Sequence, residues 1–331
     1  FTQNWLINNK NKIAQLIVSA REINKFHGTF LSSIMKYQVN GRIHGEINQL
    51  RGDNGGTVSG RLSMSNPNLQ QVPARNKDFG PKIRSLFIPE ENYKWGSFDY
   101  SQQEPRMTVH YAASIGDGYE GSNELVEAYQ NASADFHQTV ADLVGIERTQ
   151  AKTIGLGLMY GMGKQKLAIS LGVSKDEADE LIIKYNKKVP FVKKLSDRCK
   201  YAADEKGVIR TKKGRKCRFD MWETRDFGLH IAEKYEDAVA KYGKDNIKRA
   251  YTYKALNRLI QGSSADQTKQ SMLDCYNAGH LPMLQIHDEL CFNIKDEKHA
   301  KDIQKIMQNA IEFKVPSVVD YGLGDSWGNA K

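Results

Sequence analysis

The chain has 331 residues, 40% of them hydrophobic, and 48 Lys and Arg against 39 Asp and Glu give it a net charge of +9. That length can bury a substantial core and hold two or three subdomains, and the charge suits a polyanionic partner, although an RNA-binding or membrane-surface protein would share it. Cys199, Cys217, Cys275 and Cys291 are scattered without paired spacing, which argues for a reducing compartment and against a zinc module, and neither an 18-residue apolar run nor a signal-peptide pattern occurs.

The spacing of Trp5, Leu6, Ile13, Leu16, Ile17 and Ile23 predicts helix over residues 1–27. Thr29 to Ile88 reads as strand and turn: Gly52, Gly55, Gly56 and Gly60 loosen the chain before Arg61, and Asn66-Pro67-Asn68 marks a turn. Asn68, Gln70 and Gln71 suit sugars and base edges, and Arg61 a phosphate or a groove acceptor, but an ordinary polar loop has the same composition. Lys94 to Tyr100 alternates as a strand with Asp99 at its end; Ser101 can cap the following helix, with Glu104 as capping-box partner and Pro105 in the first turn. That helix, Gln102 to about Ser114, packs Met107, Val109 and Tyr111. A carboxylate at a strand end beside a helix start is either a turn residue or a place where a sheet presents chemistry.

A helix is expected from Ser133–Asp135 through Leu143, closed by Gly145, and Glu147 opens the next. In that second helix Arg148, Lys152, Leu156 and Tyr160 are four apart and line one face. Two cations, an apolar residue and an aromatic ring form either a surface for a phosphorylated, base-bearing ligand or the solvated basic end of an amphipathic helix. Gly155 and Gly157 each cost a helix about 1 kcal/mol relative to Ala, so the segment is expected to bend or fray. Two or three helices follow over Gln165 to Lys206, with a Ser174/Glu177 capping box, Pro190 in a first turn and Gly207 past the end. Val208–Arg210 and Arg215–Arg218 form a hairpin about Lys212-Lys213-Gly214; Asp226 to Gly243 is weakly patterned helix; Ala250 to Ala278 is one long helix with Asn257 and Gln261 on a shared face. Met283–Ile286 and Leu290–Ile294 flank His287-Asp288-Glu289 as a second hairpin with its acids at the bend. This bend is an exposed turn, or Asp288 meets Asp99 across a sheet to hold divalent metals. Oxygen ligands without a Cys/His cluster favour magnesium or manganese over zinc. Lys298 to Phe313 is a covering helix, and the tail returns as a strand.

Taken together, DYSQQEPR (Asp99 to Arg106), RTQAKTIGLGLMYG (Arg148 to Gly161) and HDE (His287 to Glu289) resemble motifs A, B and C of the A family of DNA polymerases, in that order. SGRLSMSNPNLQQVPAR (Ser59 to Arg75), NRLIQGSSAD (Asn257 to Asp266) and the final VDYGLGDSWGNAK extend the resemblance from about Thr29 to Lys331.

The resemblance implies an α+β right-hand fold with an antiparallel palm sheet, helical fingers and a partial thumb: residues 1–28 thumb, 29–114 and 251–331 palm, 115–250 fingers. It implies DNA-directed DNA synthesis on a primer 3′-hydroxyl, with dNTPs and primer-template DNA as partners and two magnesium ions, or manganese in their place, held by Asp99, Asp288 and the Tyr100 carbonyl. Glu289 would be a supporting acid. Arg148, Lys152, Leu156, Tyr160, Gln102 and Glu104 would receive the nucleotide, Glu104 excluding a 2′-hydroxyl. Arg61, Asn68, Gln70, Gln71, Asn257, Gln261 and His287 would meet the DNA. A processivity factor or an N-terminal nuclease region could accompany the chain, and the expected compartment is the cytoplasm, the host's if the chain is phage-encoded. Leu156 stands where the family usually has Phe or Tyr, Thr149 where a second Arg is common, Tyr253 where Arg is common, and Gln103 and Pro105 depart from Ile and Leu; the Leu156 and Gln103-Glu104-Pro105 variants resemble phage-type members. Leu156 cannot stack a ring on the sugar, so strong discrimination against dideoxynucleotides is expected. The competing readings are a single-subunit RNA polymerase or reverse transcriptase with a similar palm, and a catalytically silent nucleic-acid-binding polymerase fold.

Overall fold

The structure, a computed structural model, describes all residues except 51, 53–54, 74–75, 77, 131–134, 227, 229 and 331. Ala74 and Arg75 of the Ser59 to Arg75 segment, Ser133 at the expected helix start and the terminal Lys331 therefore lie outside the described residues.

A four-stranded antiparallel sheet stands at the centre, ordered Pro282–Ile286, Glu289–Ile294, Lys94–Tyr100, Val319–Gly324. The strand Lys94–Tyr100 alternates about its axis as its sequence demands, so its two faces enter different cores. Phe98 and Tyr100 join Leu290, Phe292, Ile294 and Val319 beneath Ala300, Ile303 and Met307 of the helix Glu297–Asn309. Trp95 on the opposite face joins Leu284, Ile286, Cys291 and Trp327, with Phe26, Phe30 and Leu69 from the N-terminal part of the chain.

The helical half forms its own core. Phe136–Val144, Arg148–Met159, Lys175–Lys188 and Pro190–Lys206 bring together Phe136, Val140, Ile154, Tyr185, Phe191 and Leu195. The long helix Ala255–Asn277 is buried on most of its surface and touches both halves through Leu256 and Ile260 on one side and Cys275 on the other. Ser174 and Glu177 exchange their capping-box hydrogen bonds, and Gly145 and Gly207 end their helices in the left-handed region.

Several expectations are corrected. The N-terminal helix is broken into Gln3–Asn8 and Lys12–Lys25, and helical turns continue through Lys36 into the region expected to be strand and turn. Leu6 is buried there, but Trp5, Ile13, Leu16, Ile17 and Ile23 are all exposed: their periodicity makes a helix without giving it a core. Between Asp220 and Ala250 the strands Trp222–Thr224 and Ile247–Arg249 pair around a short helix, Tyr235–Tyr242. The long helix starts at Ala255 after a 3-10 turn over Thr252–Lys254, and the covering helix ends at Asn309, short of Phe313. Among the described residues no helix is long and apolar enough to cross a membrane.

Candidate active site

The acids converge because of strand register. Ile286 pairs with Glu289 across a two-residue turn, His287-Asp288, with His287 at φ +57°, the left-handed conformation such a turn requires. The Glu289 strand then runs beside the central strand so that Glu289 lies opposite Asp99, and the Tyr100 amide donates to the Asp288 carbonyl at 3.4 Å. From the other side Val319–Gly324 places Asp320 opposite Asp99. Cross-strand partners point to the same face, so one sheet end carries Asp99, Glu289 and Asp320, with Asp288 at the bend. Asp320 was not singled out from the sequence; the only signal was an acid in the last strand.

This crowding has an electrostatic consequence. Asp99 keeps an open surface toward the cleft, but the surrounding protein thins its hydration, and the charges of Asp288, Glu289 and Asp320 add to that, pushing its carboxyl to about 7. Burial also raises Asp288, against opposing help from Arg61 and His287. Glu289 is turned back into the protein, where its Oε1 accepts from the Trp327 indole N–H at 3.3 Å and from the Cys291 thiol at 3.4 Å. The Tyr100 side chain is buried, its hydroxyl donating to the Met307 carbonyl at 2.6 Å, which leaves its backbone for the site. Among the described residues no three acid, imidazole or thiol side chains are already gathered closely enough to hold an ion. Oxygen-only donors under mutual repulsion nevertheless have the chemistry of a hard divalent cation site.

Glu104 is the hub of the cleft. Its Oε1 accepts from Arg61 Nη2 at 2.7 Å, and its Oε2 accepts from the Tyr160 hydroxyl. Gln261 also reaches that hydroxyl, which burial and the Glu104 charge hold above its ordinary pKa. Arg61, Glu104, Tyr160 and Gln261, far apart in sequence, thus form one hydrogen-bonded cluster, with Asn257 one turn from Gln261 on the long helix.

The expected Ser101 cap does not form. The helix Gln103–Ala113 begins after Gln102 at φ +53° with no side-chain cap; Ser101 instead donates its amide to the Val318 carbonyl, and its own carbonyl accepts from Arg106 Nε. Gln102 spans to the helical half, its Oε1 accepting from the Phe136 amide at 2.9 Å. Gln103 is buried and donates to Gln267 Oε1 at 3.0 Å, so the residue that departs from Ile ties two helices by a polar bond. Asn68 accepts from the Gln70 amide, Gln70 donates to Gln285 Oε1, Gln71 is exposed, and His287 is exposed at the hairpin tip.

Along the helix Arg148–Met159, Arg148 and Lys152 are exposed and Leu156 half-buried, with exposed Tyr160 as the residue that ends it, while Ala151, Ile154, Gly155 and Met159 are buried on the reverse side. The helix runs unbroken through both glycines, and a Cβ on Gly155 would lie 3.0 Å from the Tyr185 hydroxyl, one on Gly157 3.2 Å from Leu167 Cδ1. The glycines let neighbours approach. Glu147 and Gln150 close a capping box at its start. Arg148 is engaged by Asp135 at 2.6 Å, the same carboxylate that caps the helix Phe136–Val144. Next to it lies His137, buried, with no hydrogen-bond partner at Nδ1 among the described residues, and lowered to about 4 by burial and by Lys152 and Arg148. A lone histidine in an amphipathic helix gives no sequence signal; the structure sets it beside both cations.

Comparison with known proteins identifies the arrangement. The model of DNA polymerase family A matches residues 3–329. A DNA-directed DNA polymerase of Pseudomonas phage M6 is 38% identical over 365 aligned residues, covering 96% of this chain and 52% of the relative. DNA polymerase I of Geobacillus stearothermophilus is 30% identical over 97% of this chain and 35% of its own. The solved POL domain of Pol1 from M. smegmatis, in complex with DNA primer-template and dNTP, superposes with a TM-score of 0.79 at 27% identity, covering 99% of this chain and 55% of that one. The chain thus spans about half the length of the phage relative and about a third of the bacterial one. With the motifs, the sheet and the family match in agreement, the chain belongs to DNA polymerase family A.

Proposed function

We propose that this chain is a DNA-directed DNA polymerase that adds dNTPs to a primer 3′-hydroxyl on a DNA template. The observation that carries the reading is the register that sets Asp99 beside Asp320 and Glu289 at one sheet end with Asp288 at the adjoining bend, next to the Arg61–Glu104–Tyr160 cluster that closes the helix carrying exposed Arg148 and Lys152. Residues 29–114 and 251–331 are the palm, 115–250 the fingers and 1–28 part of a thumb.

Asp99, Asp288 and the Tyr100 carbonyl would hold two magnesium ions, or manganese; when bound, these supply Lewis acidity for the attacking hydroxyl and the phosphates. The chain's own groups do the rest. Lys152 donates to the oxygens of the transferred phosphate and to the leaving pyrophosphate as charge develops there, and Arg148, exchanging Asp135 for a phosphate, holds the distal end. His137 stands where it can join them. Tyr160 and Leu156 meet the base and sugar, and Glu104, fixed by Arg61 and Tyr160, fills the space a 2′-hydroxyl would need. Asn257, Gln261, Arg61 and His287 border the primer terminus, with Asn68, Gln70 and Gln71 beyond it.

Extension of a labelled primer on a DNA template with magnesium and dNTPs tests this, beside Asp99→Ala and Asp288→Ala. Template-directed extension that falls at least about 10³-fold in both variants, with primer-template binding retained, is the expected result. Binding without extension would establish a silent nucleic-acid-binding fold, and preference for rNTPs an RNA polymerase.

A further inference from the structure

The end of the long helix nearest the fingers carries a feature that the assignments above leave unused. Tyr251 and Tyr253 are both exposed, at 36% and 50%, in the turn that starts this helix. Lys254 lies between them, its Nζ 4.9 Å from the Tyr251 ring centre and 5.4 Å from that of Tyr253. Tyr251 is held at φ +62°, a left-handed conformation that a bulky residue adopts only when its surroundings require it.

The two rings connect the cleft to a basic cavity. Tyr253 abuts the residue after Tyr160: Gly161 has φ +67°, and a Cβ there would lie 3.0 Å from Tyr253 Cδ2. Tyr253 sits in the 3-10 turn Thr252–Lys254 that leads directly into the helix bearing Asn257 and Gln261. Tyr251 forms part of the wall of a cavity of about 510 Å³ whose charged lining is Arg215, Lys216, Arg218 and Arg258 against Asp220. That volume lies within the ~300–1,000 Å³ typical of ligand sites. Arg215 is committed to Asp266 at 2.6 Å; Lys216 and Arg218 are exposed and make no ion pair among the described residues.

Exposed aromatic rings followed by a basic recess are how proteins hold unpaired strands, with bases stacked on rings and phosphates met by cations. We infer that Tyr251 and Tyr253 form a stacking platform for the unpaired template strand just ahead of the insertion site, with its phosphates led into the cavity beside Lys216 and Arg218. The assignment rests on the polymerase reading, because that reading puts the template beside Tyr160.

Fluorescence anisotropy of the full chain with labelled primer-templates tests it, comparing a blunt duplex with 5′ template overhangs of increasing length. Wild type is expected to bind the overhangs more tightly than the blunt duplex. Tyr253→Ala and Tyr251→Gly, the latter compatible with the left-handed backbone, should each lose about 5-fold or more of that gain and leave blunt binding unchanged. Tyr253→Phe should retain the gain. Lys216→Gln with Arg218→Gln should reduce the salt dependence of overhang binding by roughly one to two phosphates, and that of blunt binding not at all. Equal weakening of blunt and overhang duplexes, or no change in either, overturns the platform. One-nucleotide extension on a single-nucleotide overhang separates the two readings: no extension by wild type defeats the polymerase reading, whereas the overhang gain is scored by binding alone.

Discussion

The carboxylates and the cationic stripe are held by different physics. Asp99, Glu289 and Asp320 are set by the hydrogen-bond register of three strands, so their separations are built into the backbone before any side chain is considered. Arg148, Lys152 and Tyr160 ride on a single helix that packs through Gly155 and Gly157 against Tyr185 and Leu167. The acids accumulate charge that Arg61 and His287 offset only at Asp288, whereas of the cations Arg148 already has a carboxylate partner and Lys152 is exposed. A sheet can therefore store like-charge repulsion until a cation arrives; a helix surface avoids it and waits for a ligand.

If the two sides do different work, Lys152 and Arg148 should separate kinetically. Lys152→Ala should lower the turnover of primer extension by roughly 10²–10³-fold, the scale of one lost transition-state donor. Arg148→Ala should act mainly on the dNTP KM and more weakly, because the guanidinium must first leave Asp135 at 2.6 Å. Single-turnover extension at varied dNTP measures both, and equal effects of the two variants on KM and turnover would erase the distinction.

The helix side of the comparison is sharpened at Gly155. Ala there gains helix propensity but meets the Tyr185 hydroxyl at 3.0 Å, so the two effects nearly cancel. Val adds branches against a ring that is fully buried, and should cost about 1–3 kcal/mol. Thermal melting of both variants checks this: near wild type for Gly155→Ala, a clear drop for Gly155→Val. A melt for Gly155→Val that matches wild type would mean that the helix is not held by this contact.

What was legible in the sequence follows the same division. Asp99, Asp288 and the Arg148–Tyr160 stripe could be read because a strand end, a hairpin bend and a spacing of four are local patterns. Long-range pairing could not. The Asp320 register with Asp99 and the Arg61–Glu104–Tyr160 cluster join segments with no sequence relation. Ser101 had the composition of a cap, but the helix starts one residue later, after Gln102, and Glu104, the expected capping-box partner, is held by Arg61 and Tyr160, tertiary contacts that outweigh local preference. Glycine costs in a helix were read as weakness, because the close approach of Tyr185 and Leu167 that makes them useful is invisible in one segment. The apolar period of Ile13, Leu16, Ile17 and Ile23 reports helix, yet all four are exposed, since periodicity marks a face and not what covers it.

The smallest expected effect tests the stored repulsion itself. The Asp99 carboxyl is raised from 3.8 to about 7 in the folded chain. Between those values the folded state keeps a proton that the unfolded state releases, so this group's contribution to stability falls as pH rises through the window and is level above it. Asp99→Asn removes the titration. In EDTA, the melting temperature of Asp99→Asn minus that of wild type should therefore grow from pH 4.5 to pH 8. Because Asp99 is exposed to the cleft, solvent screening limits the effect to about 1 kcal/mol, or roughly 2 °C for a chain of this size. Magnesium at pH 8 should raise the wild-type melting temperature more than that of Asp99→Asn, since a cation neutralises a charge the variant lacks. A difference that stays flat with pH would mean that the neighbouring carboxylates do not burden Asp99, and that the sheet end holds its acids without repulsion.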